Sequence, residues 1–156
     1  MITGQTYKIP IQTYPIVFVV SFNTRLKDFK NDVKIALELK NTRDLKIFND
    51  HFALGGTSTG RTVRLSNGHV VISFFSINHG IIAHEIFHAV TLFLDALGVK
   101  FSMDSNEAYA YTIGYLTDVI YQILEENERV FSREYQHKDA GTNPVEDQIG
   151  TAGDQA

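Results

Sequence analysis

The sequence predicts an α+β fold, a small mixed or antiparallel sheet packed against helices, and three observations carry that prediction. Runs rich in Val, Ile and Phe, of strand length, occur at Tyr14 to Phe22 and at His69 to Phe75. Asn67-Gly68 separates two β-rich runs, which is a strong hairpin signal because both residues tolerate positive φ. Three other stretches carry apolar residues at helical spacing. The order strand, helix, hairpin, helix, helix, tail belongs to a sheet with helices packed on it.

Taken in order, Tyr14 to Phe22 reads as a buried strand. Leu26 to Lys40 places Leu26, Phe29, Val33, Ile35, Ala36 and Leu39 on one helical side, with Lys and Asp on the other. Residues 41 to 60 are polar and read as a loop that ends in Gly55-Gly56-Thr57-Ser58-Thr59-Gly60. Thr62 to Leu65 and His69 to Phe75 form the hairpin. Asn78 is suited to cap a helix over His79 to Leu97, and Gly98 to end it at C′. Ser105 or Asn106 is suited to cap a second helix over Glu107 to Glu126. Residues 1–132 then make one domain. Residues 133–156 carry almost no apolar side chains and are expected to be a disordered tail.

The 156-residue length suits one domain, which can bury a core without staples. With 44% hydrophobic and 21% charged residues the balance is globular. A net charge of −4 provides no basic field for phosphates, which argues against nucleic acid as a partner. The absence of cysteine excludes disulfides, thiolate metal sites and a cysteine nucleophile. The N-terminus does not read as a signal peptide, and Pro15 to Val20 is too short to span a bilayer. The expectation is a cytoplasmic protein with no membrane partner.

The segment His84-Glu85-Ile86-Phe87-His88 carries the chemistry. On a helix, residues four apart share a face about 6 Å apart along the axis. Two imidazoles placed so can bind one zinc ion. Glu85 projects at the edge of that face, where it can serve a water without taking a ligand position. Ile81, Ile82, Ile86, Phe87, Val90, Leu92, Phe93 and Leu94 are apolar, so the helix is expected to be mostly buried. A lone buried Glu beside two His is costly unless something compensates it. A catalytic zinc uses three protein ligands and keeps an open fourth position. The best third candidate is Glu107, at the start of the next helix. Ala110 and Gly114, one and two turns beyond it, are expected to let the two helices approach closely.

The pattern resembles the gluzincin metallopeptidases: HExxH, then eighteen residues (Ala89 through Asn106), then Glu107. The string Asn106-Glu107-Ala108-Tyr109-Ala110 looks like the segment around that family's third ligand. The resemblance covers about residues 79 to 115. It implies Zn2+ held by His84, His88 and Glu107, with Glu85 as general base and a peptide or protein as substrate. The preceding hairpin is similar to the strand along the active site in these folds, and the edge of His69 to Phe75 is then expected to align a peptide. One departure touches the family's aspartate four residues after the third ligand, whose place Tyr111 takes. The other is the oxyanion-stabilising residue, which larger relatives take from a downstream domain. Tyr109, Tyr111 and Tyr115 are the residues available here. A zinc-binding structural or interaction protein without hydrolysis is the alternative.

The other candidates read more simply. His79 is a first-turn surface residue, and His51, His69 and His137 are solvated. Asp95 is a solvated helix end. Gly55 to Gly60 lacks the Lys and the context of a phosphate loop. The tyrosines from Tyr109 to Tyr121 are expected in the core.

Overall fold

The computed structural model describes residues 5–11, 13–22, 26–37, 42–53 and 59–139. They form an α+β domain. Its strands are β1 (Gln5–Pro10), β2 (Val17–Phe22), β3 (Gly60–Arg64) and β4 (Val70–Phe74). Its helices are α1 (Leu26–Ala36), α2 (Thr42–Ala53), α3 (His79–Ala96) and α4 (Asn106–Asp139). The mixed sheet has the order β1-β2-β4-β3, parallel only between β2 and β4.

Period-two alternation divides the sheet's side chains between two cores. Phe18, Val20 and Phe22 on β2, with Val70, Ile72 and Phe74 opposite them on β4, face α3 and α4. There they meet Ile82, Ile86, Ala89, Val90 and Phe93 of α3, and Leu116 and Ile120 of α4. Val19, Val71, Val63 and Leu65 point the other way, against Phe29 and Val33 of α1 and Phe48 and Phe52 of α2. Phe29, Phe48 and Phe52 pack as a trio with ring centroids 4.8 to 5.5 Å apart. Burying each such ring stabilises the fold by about 1.5–3 kcal/mol.

The hairpin forms where expected. Gly68 takes φ +88° in its turn, and the Leu65 amide donates to the His69 carbonyl at 2.8 Å. The α3 termini also follow the sequence. Asn78 accepts from the Gly80 amide at 2.8 Å. Gly98, at φ +78°, ends the helix, and the Val99 amide reaches back to the Leu94 carbonyl. These are an N-cap and a Schellman-type end.

Four expectations change. Residues 41 to 60 are not all loop: α2 occupies Thr42–Ala53, with Leu45, Phe48 and Phe52 at helical spacing and Asp44 buried in its first turn. Its polar residues cover the outer face of an otherwise apolar layer. β1 was not foreseen; only Tyr7 and Ile9 mark its inner face. The tyrosines of α4 are not all core. Tyr109 is buried, but Tyr111 is 77% exposed and Tyr115 is 44% exposed. Finally, α4 continues through residues 133–139, which were expected to be tail. Residues 140–156, and Gly55 to Ser58 of the expected glycine loop, lie outside the described residues. No helix among the described residues is long and apolar enough to cross a membrane.

Candidate metal centre

The α3 helix lies over the sheet with Ile82, Ile86, Ala89, Val90 and Phe93 inward. At 100° per residue, His84 and His88 fall on the opposite, solvent-facing side, and both are exposed. Their Nε2 atoms stand 3.1 Å apart, with ring centroids at 4.6 Å and planes at 80°. Two nitrogens bound about 2.05 Å from a tetrahedral zinc are roughly 3.3 Å apart. The pair is therefore spaced to chelate one ion through Nε2, and two neutral imidazoles suit zinc.

Glu85 sits on the flank of α3 that faces β3 and is buried. Its Oε2 accepts from Thr62 Oγ1 at 2.7 Å. The space it fills exists because residue 60 is glycine. A Cβ there would stand 2.6 Å from Glu85 Cγ and 2.8 Å from Oε1. Gly60, Thr62 and Arg64 are alternate residues on one face of β3, and together they run along α3. Arg64 donates to the Leu92 carbonyl at 3.2 Å and pairs with Asp95 at 3.0 Å. Asp95 is thus an ion-pair partner to the strand, not only a solvated helix end.

The strand beside the motif is β3. The expected edge, His69 to Phe75, is instead β4, paired on both sides by β2 and β3 and buried along its length. Its main-chain groups belong to the sheet and cannot receive a peptide. β3 is the terminal strand on the α3 side. His51, at the end of α2, bonds to the Thr62 backbone and feels the Glu85 charge. Burial and then the neighbouring Arg61 hold its pKa below the usual histidine value, while Glu85 opposes them. His69 is half-buried rather than solvated, and its Nδ1 accepts from the Val17 amide at 3.2 Å.

Glu107 lies exposed in the first turn of α4. It shares a helical stripe with Ala110, Gly114 and Tyr121, at spacings of three, four and seven residues. Tyr121 brings that stripe against α3, where its hydroxyl meets His79 Nδ1 at 2.6 Å and the rings stack. The helices run antiparallel from that contact. At about 1.5 Å per residue, ideal antiparallel helices running from that contact would carry Glu107 roughly 21 Å along α4 and His88 roughly 14 Å along α3, an axial offset of about 7 Å, more than one turn. Accordingly, no group of three His, Cys, Asp or Glu side chains arranged to hold a metal ion occurs among the described residues. Close approach of the helices at Ala110 and Gly114 is not observed. Both are exposed, and a Cβ on Gly114 would meet nothing within 4 Å.

The structure thus brings His84 and His88 together on the exposed side of α3, sets Glu85 on the buried flank that faces β3, and assembles no third donor with the pair among the described residues. It adds Gly60 and Thr62, and it places His51, expected to be solvated, half-buried against β3. Only one signal pointed to the first two: period-two spacing puts Gly60 and Thr62 on one face of the strand that pairs into the hairpin. His51 had no local signal, because α2 itself was read as loop.

The chain matches no protein-family model, no curated protein and no solved structure.

Proposed function

We propose that this protein is a zinc-dependent metallopeptidase in which His84 and His88 hold the metal through Nε2, Glu107 completes the ligand set, and Glu85 is the general base. The observation that carries the reading is the 3.1 Å separation of the two Nε2 atoms, with a buried carboxylate one residue from the first of them. Glu107 enters the set through the resemblance of its place in the sequence and not through a contact with the pair. A bound zinc supplies Lewis-acid polarisation of a peptide carbonyl and makes a water more acidic. The protein's own residues do the rest. Glu85 takes a proton from the attacking water and returns it to the leaving amine. Thr62 holds Oε2 of that carboxylate. A cytoplasmic setting belongs to the same proposal and suits a chain without cysteine.

The test combines metal analysis of the purified protein with a peptide-library digest, with and without chelator. One zinc per chain and chelator-sensitive cleavage are expected. Glu85→Gln should abolish cleavage while keeping the zinc, because it removes the base and leaves both imidazoles. Cleavage that survives in Glu85→Gln sinks the assignment.

A second reading, a zinc-binding structural or interaction protein without hydrolysis, draws on one observation. The Glu85 carboxylate is buried and already hydrogen-bonded to Thr62. A wild type that binds one zinc and cleaves nothing in the library decides for that reading.

A further inference from the structure

We propose that Thr62 is the positioning residue for the Glu85 carboxylate, in a slot that exists only because residue 60 is glycine; this rests on the peptidase reading. Glu85 is 6% exposed, and a carboxylate taken out of water needs a donor. Thr62 Oγ1 has one proton and two acceptors in reach, Glu85 Oε2 at 2.7 Å and the Glu85 carbonyl at 3.3 Å. The shorter, charge-assisted bond to the carboxylate wins. That bond fixes where the carboxylate plane lies.

Gly60 restricts the same side chain from the other direction. An alanine Cβ would sit 2.6 Å from Cγ and 3.0 Å from Cδ, near the root of the side chain rather than at a free end. Glu85 would have to leave its rotamer. Gly60 and Thr62 stand two residues apart on one face of β3, so the strand acts as a template for the carboxylate. A general base must be held within about 0.5 Å of its productive place, which is what such a template provides. Valine has nearly the shape of threonine and would fill the same space, so packing alone does not account for the hydroxyl.

The experiment compares Thr62→Val, Thr62→Ser and Gly60→Ala in the zinc-loaded full chain, on a peptide found in the library digest. Thr62→Val and Gly60→Ala should lower kcat by about 10- to 100-fold, with KM and zinc stoichiometry unchanged. Thr62→Ser, which restores the hydroxyl, should recover most of kcat. An unchanged kcat in Thr62→Val, or a Thr62→Ser no better than Thr62→Val, overturns the inference. A second measurement needs no activity. In the metal-free chain, urea midpoints are compared for Thr62→Val, Glu85→Met and the double variant. Thr62→Val should lower the midpoint beside Glu85 and leave it unchanged beside Met. Additive midpoints overturn the inference whatever the activity. A coupled cycle in a chain that cleaves nothing removes the peptidase reading and leaves the Thr62–Glu85 link standing.

Discussion

The Val17 amide donates to Nδ1 of His69 at 3.2 Å, which ties the start of β2 to the residue before β4. The accepting nitrogen must be bare, so the ring's proton sits on Nε2. Burial first, and then the charge of Lys8, hold the His69 pKa below the usual 6.5, with Asp44 opposing them. The sign follows. As pH falls, the unfolded chain takes up this proton before the folded one does. The stabilising contribution is fully present above about pH 6.5 and is lost as pH drops through that value toward the lower folded one. Urea midpoints at pH 7.5 and 5.5 should therefore differ more in the wild type than in His69→Gln. An NMR titration should place His69, and likewise His51, below the ordinary histidine value. A His69→Gln variant with the same pH dependence as the wild type removes this account.

Asp44 is a buried carboxylate at the same turn of the hairpin. It is 2% exposed, and its Oδ1 accepts from the Ser66 amide at 2.6 Å. The bond joins the first turn of α2 to the β3–β4 turn. Asp44→Ala strips a partner from a main-chain donor, an effect of about 1–3 kcal/mol. Denaturant unfolding should show a loss in that range. Asp44→Asn, which keeps an acceptor oxygen, should lose less. If Asp44→Ala unfolds at the wild-type midpoint, the link contributes nothing.

What could be read in advance follows from how local each signal is. Asn78 and Gly98 bound α3, and Gly68 turns the hairpin, because a cap or a positive φ depends on a few adjacent residues. β1 escaped notice because an edge strand with one buried face leaves only Tyr7 and Ile9 as its mark. α2 escaped because its polar outer residues outnumber the apolar stripe. The exposed edge was assigned to β4, although Val70 to Phe74 is apolar but for Ser73 and shows no alternation, the pattern of a strand covered on both faces. The His84/His88 pair was legible because both donors lie on one helix, whose pitch fixes their separation. Glu107 lies on another helix. Its distance from the pair depends on the register of α4 against α3, which is set by contacts such as His79 with Tyr121 and not by the count of intervening residues.

Gly98 offers a test of backbone geometry alone. It sits at φ +78°, and a Cβ there would touch nothing within 4 Å. Gly98→Ala therefore adds no clash with a neighbour, and its effect comes from the left-handed conformation, about 1–2 kcal/mol. Gly114→Ala meets equally open space in a helix interior, where alanine is favoured by about 1 kcal/mol. The two substitutions should move the urea midpoint in opposite directions. Movement in the same direction would contradict the assigned backbone conformations.

The metal proposal predicts a stability linkage that needs no substrate. A ligand that binds only the folded chain, at a free concentration 100 times its Kd, stabilises it by about 2.7 kcal/mol. For a domain of this size that corresponds to a rise in Tm of roughly 5–11 °C. Zinc should raise the wild-type Tm by that order, and chelator should reverse it. His84→Ala and His88→Ala each leave a single imidazole, so the zinc-dependent rise should vanish in both. Glu85→Gln keeps both rings and should keep the rise. Glu107→Ala measures how far α4 contributes. If its carboxylate completes the ligand set, zinc should protect this variant less than the wild type, although the structure gathers no three such donors among the described residues. An undiminished rise in Glu107→Ala would remove residue 107 from the ligands and leave the pair on α3 as the whole protein contribution. An undiminished rise in His84→Ala would remove the metal centre altogether.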